Sequence, residues 1–189
     1  MLEFCLVNEE WQEIKIEGEG ELTLAGHCTS LLKNQLFISG GIKKNQKKNN
    51  NLILLQLYDF SYQILQPLSN IPHRFHQSII TSRSNIIFLG RQSKSTSLFD
   101  QIHLFDTINF IWLNFPIQDG CEAPVYREKY SACRIRNKIY LFAGICEEKV
   151  FDDLWVYDIN SNIWKLIHPI GFSPTPRYFF LFFFNFFFQ

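Results

Sequence analysis

The 189-residue chain carries no excess of charge of either sign: 18 Lys and Arg stand against 18 Asp and Glu. Without a net field it has no general attraction for nucleic acid or for an anionic membrane surface. It also lacks paired cysteines. The five Cys, at positions 5, 28, 121, 133 and 146, are odd in number and include no C-x-x-C pair. That argues against a disulfide framework and against a zinc site. Reduced, buried thiols of a cytosolic protein are the expectation. The N-terminus has neither the basic start nor the long apolar stretch of a secretory signal. The Phe-rich tail, residues 179–188, is interrupted by Asn185 and is half the length of the roughly twenty apolar residues that a membrane helix needs. No phosphate-binding loop, G-x-S-x-G elbow, H-E-x-x-H or G-x-G-x-x-G motif is present.

What the chain does have is a unit that recurs three times. The first copy reads Asn34-Gln-Leu-Phe-Ile-Ser-Gly40-Gly41, then Leu57-Tyr58-Asp59, then Ile64. The second reads Ser84-Asn-Ile-Ile-Phe-Leu-Gly90-Arg91, then Leu104-Phe105-Asp106, then Trp112. The third reads Asn137-Lys-Ile-Tyr-Leu-Phe-Ala143-Gly144, then Val156-Tyr157-Asp158, then Trp164. Gly40 and Gly90 are 50 positions apart, Gly90 and Ala143 53. Repeats of that length announce a solenoid, propeller or array.

Within the third copy, residues 130–135 are β-compatible, and Arg136-Asn137 is a turn signal. Ile139-Tyr-Leu-Phe142 is a continuous apolar run, expected to be covered on both faces. Residues 145–152 read as a polar loop, and 154–157 as a third strand. Asp158-Ile-Asn-Ser-Asn162 is turn chemistry, because Asp and Asn side chains bond their own backbone. Ile163-Trp-Lys-Leu-Ile167 is the fourth strand. Four short strands make a twisted antiparallel sheet that cannot cover both faces alone, whereas like sheets stacked about an axis can.

These features together resemble the kelch-repeat family of β-propellers, over about residues 11–177. The family's connector G-x-x-P-x-P-R is similar to Gly171-Phe-Ser-Pro-Thr-Pro-Arg177 and, more loosely, to Gly120-Cys-Glu-Ala-Pro-Val-Tyr-Arg127. The departures are Gly90-Arg91 and Ala143-Gly144 for Gly-Gly, Ile64 for the strand-d Trp, and Leu24 at the expected basic position. The resemblance implies an all-β, kelch-type propeller of three full four-stranded blades, about 19–68, 69–116 and 117–168. A partial blade precedes them (1–18), the start of another follows (169–178), and residues 179–189 form a low-complexity tail. Either the tail closes a small four-bladed ring with the N-terminal strands, or the ring is incomplete and the chain is part of a longer one. The Phe/Asn/Lys-rich composition favours the second.

The resemblance implies a non-catalytic protein-interaction module of the cytoplasm, without cofactor or metal. The alternatives are a propeller enzyme, such as an oxidase or a sugar epimerase or lyase, and a non-functional fragment. Trp112, Trp164, Tyr58, Phe105 and Tyr157, with Gly40, Gly41, Gly90 and Gly144, are assigned to blade packing. Asp59, Asp106 and Asp158 are assigned to turns. His27 and His76 fall at the same site of strand a, too few for a metal. Arg74, Arg91, Arg127 and Arg177 cluster on the face shared by the b–c and d–a loops. Arg suits bidentate capture of a carboxylate or phosphate, so the partner expected there is a protein with an acidic segment. The alternative is that these Arg bond carbonyls of neighbouring blades. The Lys43–Lys48 loop is expected to be solvated.

Overall fold

The computed structural model describes residues 2–20, 22–47, 49, 51–65, 78–82, 84–89, 101–116 and 121–178. All regular structure among them is β. β1 (Leu2–Cys5) and β2 (Glu10–Glu13) form a hairpin, and β3 (Glu17–Gly18) follows. The first blade is β4 (Leu24–Leu32), β5 (Gln35–Lys43), β6 (Leu52–Gln56) and β7 (Ser61–Leu65). The second is β8 (Ser78–Ser82), β9 (Asn85–Leu89), β10 (Gln101–Asp106) and β11 (Ile111–Pro116). The third is β12 (Ser131–Ile135), β13 (Lys138–Cys146), β14 (Lys149–Asp158) and β15 (Ile163–Ile167). Each blade is an antiparallel meander whose strands pair in chain order. The blades meet at their first strands, with β8 lying against β4 on one side and β12 on the other.

The apolar second strands explain why the sheets stack. In β9, Ile86 and Phe88 join Phe37, Leu52, Leu54 and Leu65 of the first blade. The alternate residues, Ile87 and Leu89, join Ile139, Leu141, Trp155, Tyr157 and Trp164 of the third. Successive side chains of a strand point to opposite faces, so a sheet covered on both sides needs an unbroken apolar run. Phe105 is fully buried, and its ring lies 5.0 Å from that of Trp112. Tyr157 and Trp164 stand 5.2 Å apart, both at 2% exposure.

Three features differ from the sequence reading. Residues 145–152 are not a loop: β13 and β14 continue past a bulge and join through a two-residue turn at Glu147 and Glu148. Glu17–Gly18 does not belong with the preceding hairpin; it adds to β7 as a parallel fifth strand of the first blade. The first copy is also offset at its c–d turn. In all three blades one carbonyl before strand b accepts a bond from the residue after strand c: Asn34 from Leu57, Ser84 from Thr107, Asn137 from Ile159. Leu57 therefore matches Thr107, not Leu104. Tyr58, expected in the core, lies in the turn and is 72% exposed. The strand-d aromatic of the first blade is Tyr62, which pairs with Leu55 as Trp164 pairs with Tyr157, and Ile64 is not its counterpart. Arg74, Gly90, Arg91, His76 and the 179–189 tail lie outside the described residues.

Candidate functional site

The bulge in strand b builds the site. In the third blade the register shifts between Phe142 and Gly144. Ala143 and Gly144 both have positive φ, 58° and 108°. A Cβ at Gly144 would stand 2.9 Å from the Glu128 carbonyl oxygen, so only glycine fits there. Ala143 holds the left-handed conformation that Gly40 holds in the first blade at φ 72°. The bulge takes the Ala143 carbonyl out of the ladder and leaves it needing a donor.

Arg127 supplies that donor. It sits in the connector entering the third blade and is 2% exposed. Its Nη1 donates to the Ala143 carbonyl at 3.3 Å and its Nε to the Val125 carbonyl at 3.1 Å. Nη1 and Nη2 grip the Asp153 carboxylate, Nη2 to Oδ2 at 2.9 Å. The guanidinium lies 3.8 Å over the Phe151 ring, a favourable cation–π placement. Trp155 Nε1 completes the network by donating to Asp153 Oδ2 at 2.8 Å. This corrects the assignment of Arg127 to a partner face. A buried guanidinium must be paired, and the bulge carbonyl and Asp153 provide the pairing.

The first blade solves the same problem differently. Leu24 occupies the Arg127 position, and Asn49 takes over the donor's part. Asn49, 3% exposed, donates from Nδ2 to the Gly40 carbonyl at 3.0 Å and to the Asn51 carbonyl at 3.3 Å. Its own amide bonds the Gly41 carbonyl at 2.8 Å. The Lys43–Lys47 stretch before it is a hydrogen-bonded turn. Sequence reasoning missed Asn49 because it sits in an Asn/Lys-rich run with no apolar neighbour to mark it as buried. The signal was the missing basic residue at Leu24, since a blade without that Arg needs another donor.

A depression of about 330 Å³ opens beside the Arg127–Asp153 pair, rimmed by Val125, Lys149, Val150, Phe151 and Asp152. Lys149 Nζ stands 5.0 Å from the Phe151 ring centre. Arg177 reaches the same edge. Its amide donates to the Phe151 carbonyl at 3.1 Å, and its carbonyl accepts from Gly144 at 3.0 Å. The Arg177 side chain is exposed and donates from Nε to the Thr175 carbonyl at 2.9 Å. The structure thus brings Arg127 and Arg177 to one end of the third blade and exposes only the second.

Asp106 and Asp158 receive backbone amides two and three residues on, as turn formers do. Asp59 instead accepts from the Ser61 amide within the turn. Burial pushes the thiols of Cys28 and Cys133 up to about 11, away from the reactive thiolate. Among the described residues no helix is long and apolar enough to cross a membrane.

The family model for the KLHDC2/KLHL20/DRC7 Kelch-repeats domain matches residues 26–185. Kelch domain-containing protein 3 of Homo sapiens is 25% identical over 187 residues, covering 92% of this chain and 48% of that protein. Acyl-CoA-binding domain-containing protein 5 of Arabidopsis thaliana is 28% identical over 156 residues, covering 81% of this chain and 24% of its own length. Kelch repeat-containing protein 2 of Saccharomyces cerevisiae is 30% identical over 187 residues, covering 88% and 21%. The chain spans about half or less of the length of these relatives.

Proposed function

The chain belongs to the kelch-repeat family, and on that premise we propose that it is a non-catalytic module that binds another protein through the face carrying the b–c hairpins and d–a connectors. The observation that carries this reading is the state of the polar groups beside the depression. Arg127 and Asp153 satisfy each other, the bulge carbonyl and Trp155. Groups locked in this way shape a surface and are poorly placed to exchange protons with a substrate. The exposed apolar and charged rim, Val125, Lys149 and Asp152, suits a partner's side chains.

The partner presents an acidic segment. With Arg127 engaged inside the blade, the capture of carboxylates rests on Arg177, together with Arg74 and Arg91. The five free thiols fit a reducing compartment such as the cytoplasm.

The test is affinity capture from an extract of the source cells, followed by titration of the recovered protein. Arg74→Ala, Arg91→Ala and Arg177→Ala should each weaken binding by about 1–3 kcal/mol, the value of a lost charge-assisted bond. Changing Lys43, Lys44, Lys47 and Lys48 together should matter less, and mainly at low salt. Normal binding by all three Arg variants with loss in the Lys variant would place the interface elsewhere.

A further inference from the structure

In an antiparallel meander the a–b and c–d turns lie at the end opposite the b–c hairpins and d–a connectors. Backbone bonds from Leu57 to Asn34, Thr107 to Ser84 and Ile159 to Asn137 tie the two turns of each blade side by side. The c–d turns are alike: residues 57–60, 107–110 and 159–162 each end in a left-handed residue, Phe60 at φ 56°, Phe110 at 55° and Asn162 at 57°. Asparagine enters that conformation readily and phenylalanine rarely. The second residue of the turn is Asn160 in the third blade but Tyr58 and Ile108 in the first and second, where they are 72% and 70% exposed. The third blade thus makes the same turn with polar residues, and the fold does not require the apolar ones. Phe110 has a use inside its blade, edge-on to Phe105 at 6.0 Å, where Asn162 instead accepts from the Tyr157 hydroxyl at 2.7 Å. Even so Phe110 is 41% exposed, so the cluster that Phe105 shares with the first blade reaches solvent at this seam. Charges of both signs accompany it. Lys33, in the a–b turn of the first blade, is exposed and forms no ion pair among the described residues. Hydrogen bonds from Ser61 hold the Asp59 carboxyl below the usual carboxylate range, and bonds from Asn109 do the same for Asp106, so both stay ionised at neutral pH.

We propose that the turn end of the first and second blades is a self-association surface, where two copies of this chain meet about a two-fold axis and cover Tyr58, Ile108 and Phe110. The Lys33 ammonium of each copy faces the carboxylates of the other. A two-fold contact brings one patch against itself, so the patch must be self-complementary. An apolar centre with a cation and carboxylates at its edge meets that condition, whereas a partner of one charge sign is repelled by part of it. The formal net charge of the chain is zero, so no overall repulsion opposes the pairing of two copies. Three apolar side chains make a small contact, and the dimer is accordingly weak. It leaves the b–c and d–a end of both copies free, so a dimer presents that end twice.

Sedimentation equilibrium of the full chain, from about 1 µM to about 500 µM, tests this and should give a monomer–dimer equilibrium in the micromolar range. Tyr58→Asn and Ile108→Asn install the residue that the third blade uses at the same turn position. Each should weaken the dimer about tenfold, the loss of one covered apolar side chain. Their melting temperatures at low concentration should match the parent, because both side chains are exposed in the monomer. Lys33→Glu should weaken the dimer as well. Phe172→Asn is the control for general stickiness, since Phe172 is fully exposed away from these turns, and it should leave the equilibrium unchanged. A chain that stays monomeric throughout overturns the proposal and leaves the patch to a different protein. Association that Tyr58→Asn and Ile108→Asn do not weaken overturns it, as does association that Phe172→Asn weakens equally. Open-ended growth beyond the dimer excludes the two-fold contact. None of these outcomes touches the protein-binding reading of the opposite end.

Discussion

At the scale of single residues, the third blade turns on one buried ion pair. The Arg127 side chain is 1% exposed and that of Asp153 26%. Removing one partner strands the other. Asp153→Asn should destabilise the chain by about 3–5 kcal/mol in urea unfolding, the usual result of leaving a buried charge unpaired. Arg127→Leu combined with Asp153→Asn should be milder than Asp153→Asn alone, because no charge is then left buried. The first blade already folds with Leu24 at the Arg position. A double variant as damaged as the single one would show that the guanidinium matters chiefly as donor to the Ala143 carbonyl. Tyr157 gives a second test. Burial, and secondarily the Asp158 charge, pushes its hydroxyl up to about 12. The folded state therefore prefers the protonated phenol. Its stabilisation is intact below the unfolded value of about 10 and is lost as pH rises from there through the folded value. Thermal melts between pH 9 and pH 12 should fall, and Tyr157→Phe should flatten that fall. A variant that melts with the same alkaline slope as the parent would assign the loss to other groups. The sequence showed Arg127 as a cation of note but not its burial. Burial depends on a bulge carbonyl and an aspartate 26 positions away, neither of which a local pattern displays.

At the scale of elements, the second strands were legible and the third partly not. The run Ile86-Ile-Phe-Leu89 is apolar throughout because blades cover both of its faces, and in Ile139-Tyr-Leu-Phe142 the alternate residues Ile139 and Leu141 pack against the second blade. The extension of β13 and β14 past the bulge was hidden by Glu147, Glu148, Lys149 and Asp152, exposed residues of a hairpin tip in which Phe151 is the buried position of that stretch. The offset in the first blade has a similar origin. The string Leu57-Tyr58-Asp59 copies the spelling of Leu104-Phe105-Asp106, but the backbone bond from Leu57 to Asn34 sets the register. The buried residue at the Phe105 position is Leu55. Tyr58→Ala should therefore shift stability by no more than about 0.5 kcal/mol, as exposed substitutions do. Leu55→Ala, at 1% exposure, should cost about 2–5 kcal/mol. Chemical denaturation of the two variants reads the difference directly. The reverse order would restore the spelling-based register.

At the scale of the whole molecule, the period of about fifty residues was enough to define a stack of like sheets, because each unit has the same need for cover. What the period did not contain is how the units share their cores. The second blade divides its side chains between two clusters: Ile86, Phe88 and Phe105 face the first blade, and Ile87, Leu89, Ile102 and Leu104 face the third. In a stack where each unit touches only its neighbours, stability is a sum of unit and interface terms. A cavity on one face of the second blade should then loosen one neighbour more than the other. Phe88→Ala should raise native-state amide exchange in β5 and β6, and Leu104→Ala should raise it in β13 and β14. Both variants share the loss within the second blade itself, so the informative quantity is the contrast between the outer blades. Exchange that rises equally in the first and third blades for both variants would mean that the described part of the chain opens as one unit, with no interface acting on its own.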